Sequence, residues 1–513
     1  MKRSALFACL LFAMPTIAHA ATELVLVPID DRPVTLQLPQ MVGAIAGANV
    51  LVPPRAMLGR FLSPGDPAGI AQWLQSSATQ GADAFVLSTD MLAYGGLIAS
   101  RAPYTPQTVA ISRLGVLSKL REEHRSAWIG AFGTIMRLAP TGVPAIGTAK
   151  NFFGAYPVWE YLQQYANLHD PPLPAEEATA GHLRQMLGPA LQQYLAARAR
   201  NRAVDEAALE LTSHGDVNRF VLGQDDAGAV GLHIKDVVVL RSVVQTLDIG
   251  DRTSIEPGAD ELAMALVAHA LVWRIQWAPH IAVRYSVSNG GAFNDPLEFV
   301  PVDQTINSLI ALCGGVRDDT HPEITLYVRV PDGVDINDPA LLTSIERDIA
   351  AGGRVAVADL TFLEPTFTHQ AAFAQGLIMS GVAGKLDAYA SWNTSANTVG
   401  TALAESIAAQ AGRRGRSYNA VAHAEFMLNR FIDDYAYHAF VRPVLNAQLD
   451  AAGVDHSYLL PQDAMPVDHL NRSLLWREAV ELKNEIYPQY KDRGLTVTLP
   501  WDRTFETQID VKL

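Results

Sequence analysis

Cysteine is almost absent from the 513-residue chain: there are two, and Cys9 lies in an apolar stretch that resembles a leader. With that stretch removed, Cys313 stands alone, no intramolecular disulfide can form, and the fold must rest on its core. Beside Leu312 and before Gly314-Gly315, Cys313 reads as a small buried hydrophobe rather than a nucleophile. Long apolar runs are also missing. The longest after the leader, Leu262 to Trp277, carries His269 and Arg274 and falls short of the roughly 18 residues that a bilayer span needs. Positive charge is scarce, with 39 Lys and Arg against 53 Asp and Glu and a net charge of −14. That balance argues against nucleic acid or an anionic membrane surface as partner.

Familiar catalytic signatures are lacking too. The two closest of the 14 His, His269 and His280, lie eleven positions apart, so there is no local imidazole pair for zinc. The motifs G-x-S-x-G, H-E-x-x-H, G-x-x-x-x-G-K-[ST] and G-x-G-x-x-G do not occur. The acidic run Asp332 to Asp338 has Thr343 where a calcium loop needs its twelfth-position Glu. Serine-hydrolase, zincin, P-loop and EF-hand chemistries are thereby set aside, and no metal ligands are assigned.

What is present is an ordinary globular composition, 49% hydrophobic and 18% charged with 30 Pro and 37 Gly, which excludes disordered, collagen-like and coiled-coil chains. Lys2 and Arg3, the apolar stretch Ala5 to Ala18 and the small-x-small triplet Ala18-His19-Ala20 form a signal-peptide pattern over residues 1–20. It predicts export to the periplasm or beyond, with a mature chain of 37 basic and 53 acidic residues.

Short β-branched runs alternate with amphipathic stretches, the pattern of parallel βα units. Strands are expected at Leu24 to Ile29, Val50 to Val52, Ala84 to Ser88, Trp128 to Ile135, Phe220 to Leu222, Ile281 to Tyr285, Ile324 to Val330, Val355 to Ala358 and Leu386 to Ala390. Most are wholly apolar, as strands covered on both faces should be. Helices are expected at Pro67 to Thr79, Thr105 to Arg125, Leu341 to Ala350 and Ala396 to Ala411. The class is α/β, either a β/α barrel-like fold or two Rossmann-like lobes, followed by a C-terminal helical region. The expected divisions are an α/β region over 21–274 with a helical insertion at about 150–214, a second α/β region over 275–412, and a helical cap over 413–513 with a short final strand near Gly494 to Leu499.

Polar residues recur where the apolar strands stop: Asp30-Asp31-Arg32, Asp90, Arg137, Gln224-Asp225-Asp226, Asp359, and Trp392-Asn393. In parallel α/β folds, the carboxyl ends of strands line the ligand crevice. Plainer readings stand beside this one. Asp30 or Asp31 serves equally as a cap, Asp260-Glu261 complements the dipole of the helix that follows, and Trp392 fits a core. Asn393 and Asn397 either satisfy backbone N–H groups or present two amides to a polar ligand. Paired carboxylates can divide the roles of acid and base, as in sugar hydrolysis. The same oxygens also suit Ca²⁺ or Mg²⁺, an option the sequence leaves open. No other cofactor is implied.

Several blocks together resemble the bacterial family known as domain of unknown function 4127. They are Pro28-Ile29-Asp30-Asp31-Arg32-Pro33, Pro53-Pro54 with Leu58-Gly59, the run Asp90 to Arg101, Ile135-Met136-Arg137, Leu222 to Ala227, Gly258-Ala259-Asp260-Glu261, and Trp392-Asn393-Thr394 with Asn397-Thr398. The resemblance implies that these strand-end blocks belong to one shared site, and it carries no activity with it.

The expected function is that of an exported hydrolase acting on a carbohydrate, a glycosidase using two of Asp30, Asp31, Asp90, Asp225 and Asp226. Arg32, Tyr94, Arg101, Arg137, Gln224, Glu261, Asp359, Trp392, Asn393 and Asn397 would bind a small-molecule or oligosaccharide substrate. The alternative is a non-catalytic periplasmic binding protein with an acidic, aromatic cleft.

Overall fold

A computed structural model describes residues 22–145, 148–331, 336–363 and 368–513. The leader-like residues 1–20 lie outside these, as do residues 332–335 of the acidic run. Two separate parallel sheets carry the fold. The first orders its strands β2-β1-β3-β4-β8-β9, where β1 is Glu23–Val27, β2 Asn49–Leu51, β3 Ala84–Ser88, β4 Trp128–Ile135, β8 Arg219–Gln224 and β9 Thr253–Pro257. The three strands numbered between β4 and β8 form a small antiparallel sheet of their own: β5 (Gly142–Ala145), β6 (Thr148–Asn151) and β7 (Gly154–Ala155). The second parallel sheet runs β11-β10-β12-β13-β14, comprising β10 (His280–Tyr285), β11 (Val316–Arg317), β12 (Ile324–Arg329), β13 (Val355–Asp359) and β14 (Ala388–Ala390).

Both sheets are open, so the two-lobed arrangement is the one observed and not the barrel. In each lobe the second strand flanks the first on one side while the third flanks it on the other. The strand order therefore reverses beside β1 and beside β10, the place where open parallel sheets form a crevice. All nine strands expected from sequence are present, with bounds shifted by a few residues.

Two further edge strands, β9 and β11, have no counterpart in the sequence reading. In β9, Ser254 and Ile255 are only half-buried, and β11 has two residues, one of them exposed, so neither shows a continuous apolar run. The small sheet β5–β7 precedes and overlaps the start of the insertion, which is otherwise helical over Tyr156–Ala166, Glu177–Leu187 and Pro189–Ser213. The expected helix over 105–125 is broken into Gln107–Arg113 and Val116–Glu123.

The lobes are joined by a shared core. The helix Leu262–Arg274, with the sequence LAMALVAHALVWR, is apolar around nearly its whole circumference and almost entirely buried, as expected of a helix packed on all sides. It lies against β3 and β4 of the first lobe and against the helix Ser395–Gly415, which in turn packs on β13 and β14 of the second. The order of layers is sheet, helix, helix, sheet. Small residues permit the close approach: a Cβ on Gly400 would sit 2.5 Å from Cγ of Glu261. Cys313 is buried in this core and its thiol is pushed up by burial, in keeping with its reading as a hydrophobe.

The tail is helical over Ala420–Arg430, Phe431–Val441 in π-helical geometry, Arg442–Ala451 and Pro461–Ile486. It ends in an antiparallel hairpin of β15 (Gly494–Thr498) and β16 (Gln508–Lys512). Only the first of these strands is expected from sequence. Among the described residues no helix is long and apolar enough to cross a membrane.

Leu266 is fully buried in the joining helix. Leu266→Ala should destabilise the chain by about 2–5 kcal/mol and should reduce amide-exchange protection in both large sheets. Loss of protection confined to the first sheet would show that the lobes do not share one cooperative core.

Candidate functional site

A cavity of about 280 Å³ opens at the carboxyl ends of the first lobe's strands. That is near the lower end of the ~300–1,000 Å³ typical of ligand pockets. Each strand end delivers a different group to it. The segment after β1 turns at Asp30, whose carboxylate accepts from the main-chain N–H of Arg32 (3.1 Å), Thr35 Oγ1 (2.7 Å) and Arg32 Nε (2.9 Å). This turn aims Arg32 at Asp260, after β9, which takes Nη1 and Nη2 at 2.9 and 2.6 Å.

After β3, Ser88 caps a short helix by accepting from the Met91 N–H. Gly95 and Gly96 then turn the chain at φ of 91° and 126°. A Cβ on Gly96 would come 2.9 Å from the carbonyl of Ile29, so only glycine lets the two strand ends lie this close. The turn brings Leu97, Ile98 and Arg101 to the cavity wall. From β4 comes Arg137 and from β8 come Asp225 and Asp226. Arg101 ion-pairs with Asp225, while Arg137 Nη1 reaches Asp226 at 3.4 Å.

The second lobe supplies the opposite wall. Asn393, in the left-handed region at φ 53°, together with Thr394 and Asn397 surrounds the start of the helix Ser395–Gly415. That helix start is capped by acids, since Asp295 accepts from the Ser395 N–H at 2.8 Å and Glu298 from the Ala396 N–H. Leu297, between these acids, also lines the cavity, and its carbonyl accepts from the Ala227 N–H of the first lobe at 3.0 Å. The loop between β15 and β16 closes the site with Trp501, Arg503 and Phe505. Trp501 Nε1 donates to Asp31 at 2.6 Å, and its ring lies under Arg503 at 4.6 Å. Tyr437 Oη holds the same loop through the Thr504 carbonyl at 2.7 Å.

Seven of the residues expected from sequence line this cavity: Arg32, Arg101, Arg137, Asp225, Asp226, Asn393 and Asn397. The others lie elsewhere. Asp30 and Asp31 are buried behind the wall, the first holding its own turn and the second held by Trp501 and by Arg55 at 3.1 Å. Asp90 accepts from Thr134 N–H and Oγ1 at 2.9 and 3.1 Å, is buried, and does not line the cavity. Of the five candidate acid–base groups, only Asp225 and Asp226 therefore reach the wall.

Tyr94 is packed under the Arg200 guanidinium, and Gln224 donates to the carbonyls of Ile135 and Asp225. Glu261 is fully buried between Gly258 and Gly400. Asp359 belongs to the second lobe, where it pairs with Arg329 at 3.3 Å. Trp392 is 6% exposed, with Nε1 bonded to Thr401 Oγ1, and faces a neighbouring space of about 30 Å³ instead of the main cavity.

The sequence reading divided Asp260 between a helix-start and a site role, named Thr394 only within a block of the shared site, and passed over Trp501, Arg503 and Phe505. For the last three the available signal was the cluster Trp501-Asp502-Arg503 behind Pro500 in an otherwise helical tail.

The acids are not electrostatically equivalent. Enclosure and the neighbouring Asp225 charge push Asp226 up, against the pull of Arg137 and Arg101. Burial likewise raises Asp260, opposed by Arg32. Asp90 is pushed up to about 7, chiefly by burial and against the hydrogen bonds from Thr134. Among the described residues no group of three or more His, Cys, Asp or Glu is placed to hold a metal ion.

With the site's geometry in hand, comparison with known proteins gives one match: residues 24–510 fit the family described as "Protein of unknown function (DUF4127)". The chain belongs to that family. No curated protein and no solved structure matches it.

A raised carboxyl binds its proton more tightly in the folded than in the unfolded chain. Asp90 therefore supports folding at low pH and costs stability as pH rises from about 4 to about 7. Asp90→Asn keeps an acceptor for Thr134 and removes this cost. The variant should gain on the parent protein over that interval by up to about 4 kcal/mol, measured by denaturant unfolding at stepped pH. A difference that stays flat with pH would refute the assignment.

Proposed function

We propose that this chain is an exported hydrolase of a carbohydrate, a glycosidase in which Asp225 and Asp226 are the catalytic pair. The observation that carries the reading is their unequal setting in one cavity. Asp225 is locked to the buried guanidinium of Arg101, while Asp226 is partly exposed, only loosely tied to Arg137 and pushed up by its enclosure. Adjacent carboxyl groups whose surroundings differ in this way suit opposite roles.

In this reading Asp226 gives its proton to the departing glycosidic oxygen. The charge of Asp225 supports the positive charge that develops at the anomeric carbon; water then adds its hydroxyl there and returns its proton to the ionised Asp226, which restores the starting acid. The Asn393 and Asn397 amides match the donors and acceptors of sugar hydroxyls, and the rings of Trp501 and Phe505 offer the apolar faces a sugar packs on. Export is supported by the leader pattern of residues 1–20.

The second reading is a two-lobed binding protein without catalysis. It is favoured by the fact that Asp225 and Asp260 are each held by an arginine. Incubating the protein with a panel of oligosaccharides, with and without chelator, and reading products by mass spectrometry separates the two. Asp226→Asn and Asp225→Asn should each lower turnover by ~10²-fold or more. Graded loss of affinity with no cleavage by the parent protein would establish the binding protein instead, and undiminished cleavage by both variants would remove this pair from the mechanism.

A further inference from the structure

The four arginines of the cavity are not equally satisfied. Arg32 gives Nη1 and Nη2 to Asp260 and Nε to Asp30. Arg503 gives Nε and Nη2 to Glu506 at 2.9 and 2.6 Å. Arg101 is 4% exposed; its Nη2 goes to Asp225 and its Nη1 to Thr141 Oγ1 at 3.3 Å, but Nε has no acceptor among the described residues. Arg137 gives Nε to the Ala139 carbonyl at 3.0 Å and Nη1 to Asp226 only at 3.4 Å, and its side chain is partly exposed. Asn397, also 4% exposed, carries a buried Oδ1 with no partner among the same residues.

Buried polar groups are almost always satisfied, so a cavity wall in which Arg101 Nε and Asn397 Oδ1 are not is shaped for something that binds there. The character of that ligand follows from the charges. Arg101 and Arg137 stand close enough to repel: burial first, and then the Arg101 charge, push Arg137 down to about 10 against the pull of Asp225 and Asp226. An anion placed between two crowded guanidinium groups relieves that repulsion, and a carboxylate matches their planar forks. The chain as a whole carries −14, yet this wall holds four arginines against the three aspartates Asp225, Asp226 and Asp260. Asp226, held up by its enclosure, takes its neutral form readily beside an incoming anion.

We propose that the substrate is an acidic sugar whose carboxylate docks on Arg101 and Arg137, with the Asn397 amide as a further polar partner; this rests on the carbohydrate reading of the same cavity. The test is calorimetric titration of the full chain with three probes: a hexuronic acid disaccharide, the same disaccharide with its carboxyl reduced to the alcohol, and a hexose 6-phosphate.

The uronic acid should bind about 10-fold or more tightly than its neutral twin, and the advantage should shrink as salt is raised. Arg137→Gln should lower affinity for the acid much more than for its neutral twin, and Arg137→Lys, which keeps the charge without the fork, should restore only part of the difference. Arg137 is the residue to change because it is partly exposed and a variant there leaves the buried Arg101–Asp225 pair intact. Equal binding of the twins, or tighter binding of the phosphate, would overturn the inference. Cleavage of both twins without preference would sink this inference and leave the hydrolase reading standing. A marked preference for the acid with no cleavage of any probe would do the reverse.

Discussion

The contact between the helices Leu262–Arg274 and Ser395–Gly415 is the constraint on which the rest of the structure depends. Each belongs to a different lobe, each lies on its own sheet, and each is buried along nearly its entire length between that sheet and its neighbouring helices, the other among them. Burial of apolar surface on this scale, at roughly 1.5–3 kcal/mol for each large side chain, fixes the lobes as one body. Both helices also begin at the cavity. Asp260 and Glu261 stand at the head of the first, and Asn393, Thr394 and Asn397 at the head of the second. The packing that joins the lobes therefore also sets the two faces of the cavity against each other, with Glu261 at the contact itself against Gly400.

Inside that frame, ion pairs decide which charged groups are structural and which remain available. Asp30 and Asp260 share one guanidinium, and Asp31 is held from two sides by Trp501 and Arg55. Removing one member of such a buried pair leaves an uncompensated charge, which is far more costly than the pair itself is favourable. These groups keep the walls in place. Arg137 and Asp226 escape this role because their contact is long and partly open. Arg101 Nε and Asn397 Oδ1, buried without a partner among the described residues, belong to the same cavity.

Much of the architecture is legible in the chain because strands covered on both faces show no polar alternation. The runs in β1, β3, β4, β12 and β13 stand out for that reason. The edge strands β9 and β11 do not, since water reaches one side and the apolar run breaks. The site is legible in outline: the end of an apolar strand tells where the backbone enters the crevice. It does not tell where each side chain turns. After β1 it is Arg32 that faces the cavity while Asp30 and Asp31 turn inward, and after β8 both acids stay at the wall. Adjacent positions in a turn point in unlike directions, and only the hydrogen bonds made by Thr35, Trp501 and Arg55 decide between them. The contribution of the β15–β16 loop is hidden for another reason. Its closeness to β1 spans some 470 positions, and no local pattern encodes so distant a contact.

The β15–β16 loop is fastened at two places: Trp501 to Asp31, just past β1, and Thr504 to Tyr437 in the tail helices. A molecule that enters the cavity therefore passes a rim stitched to two separate parts of the chain, and those two stitches set the width of the mouth.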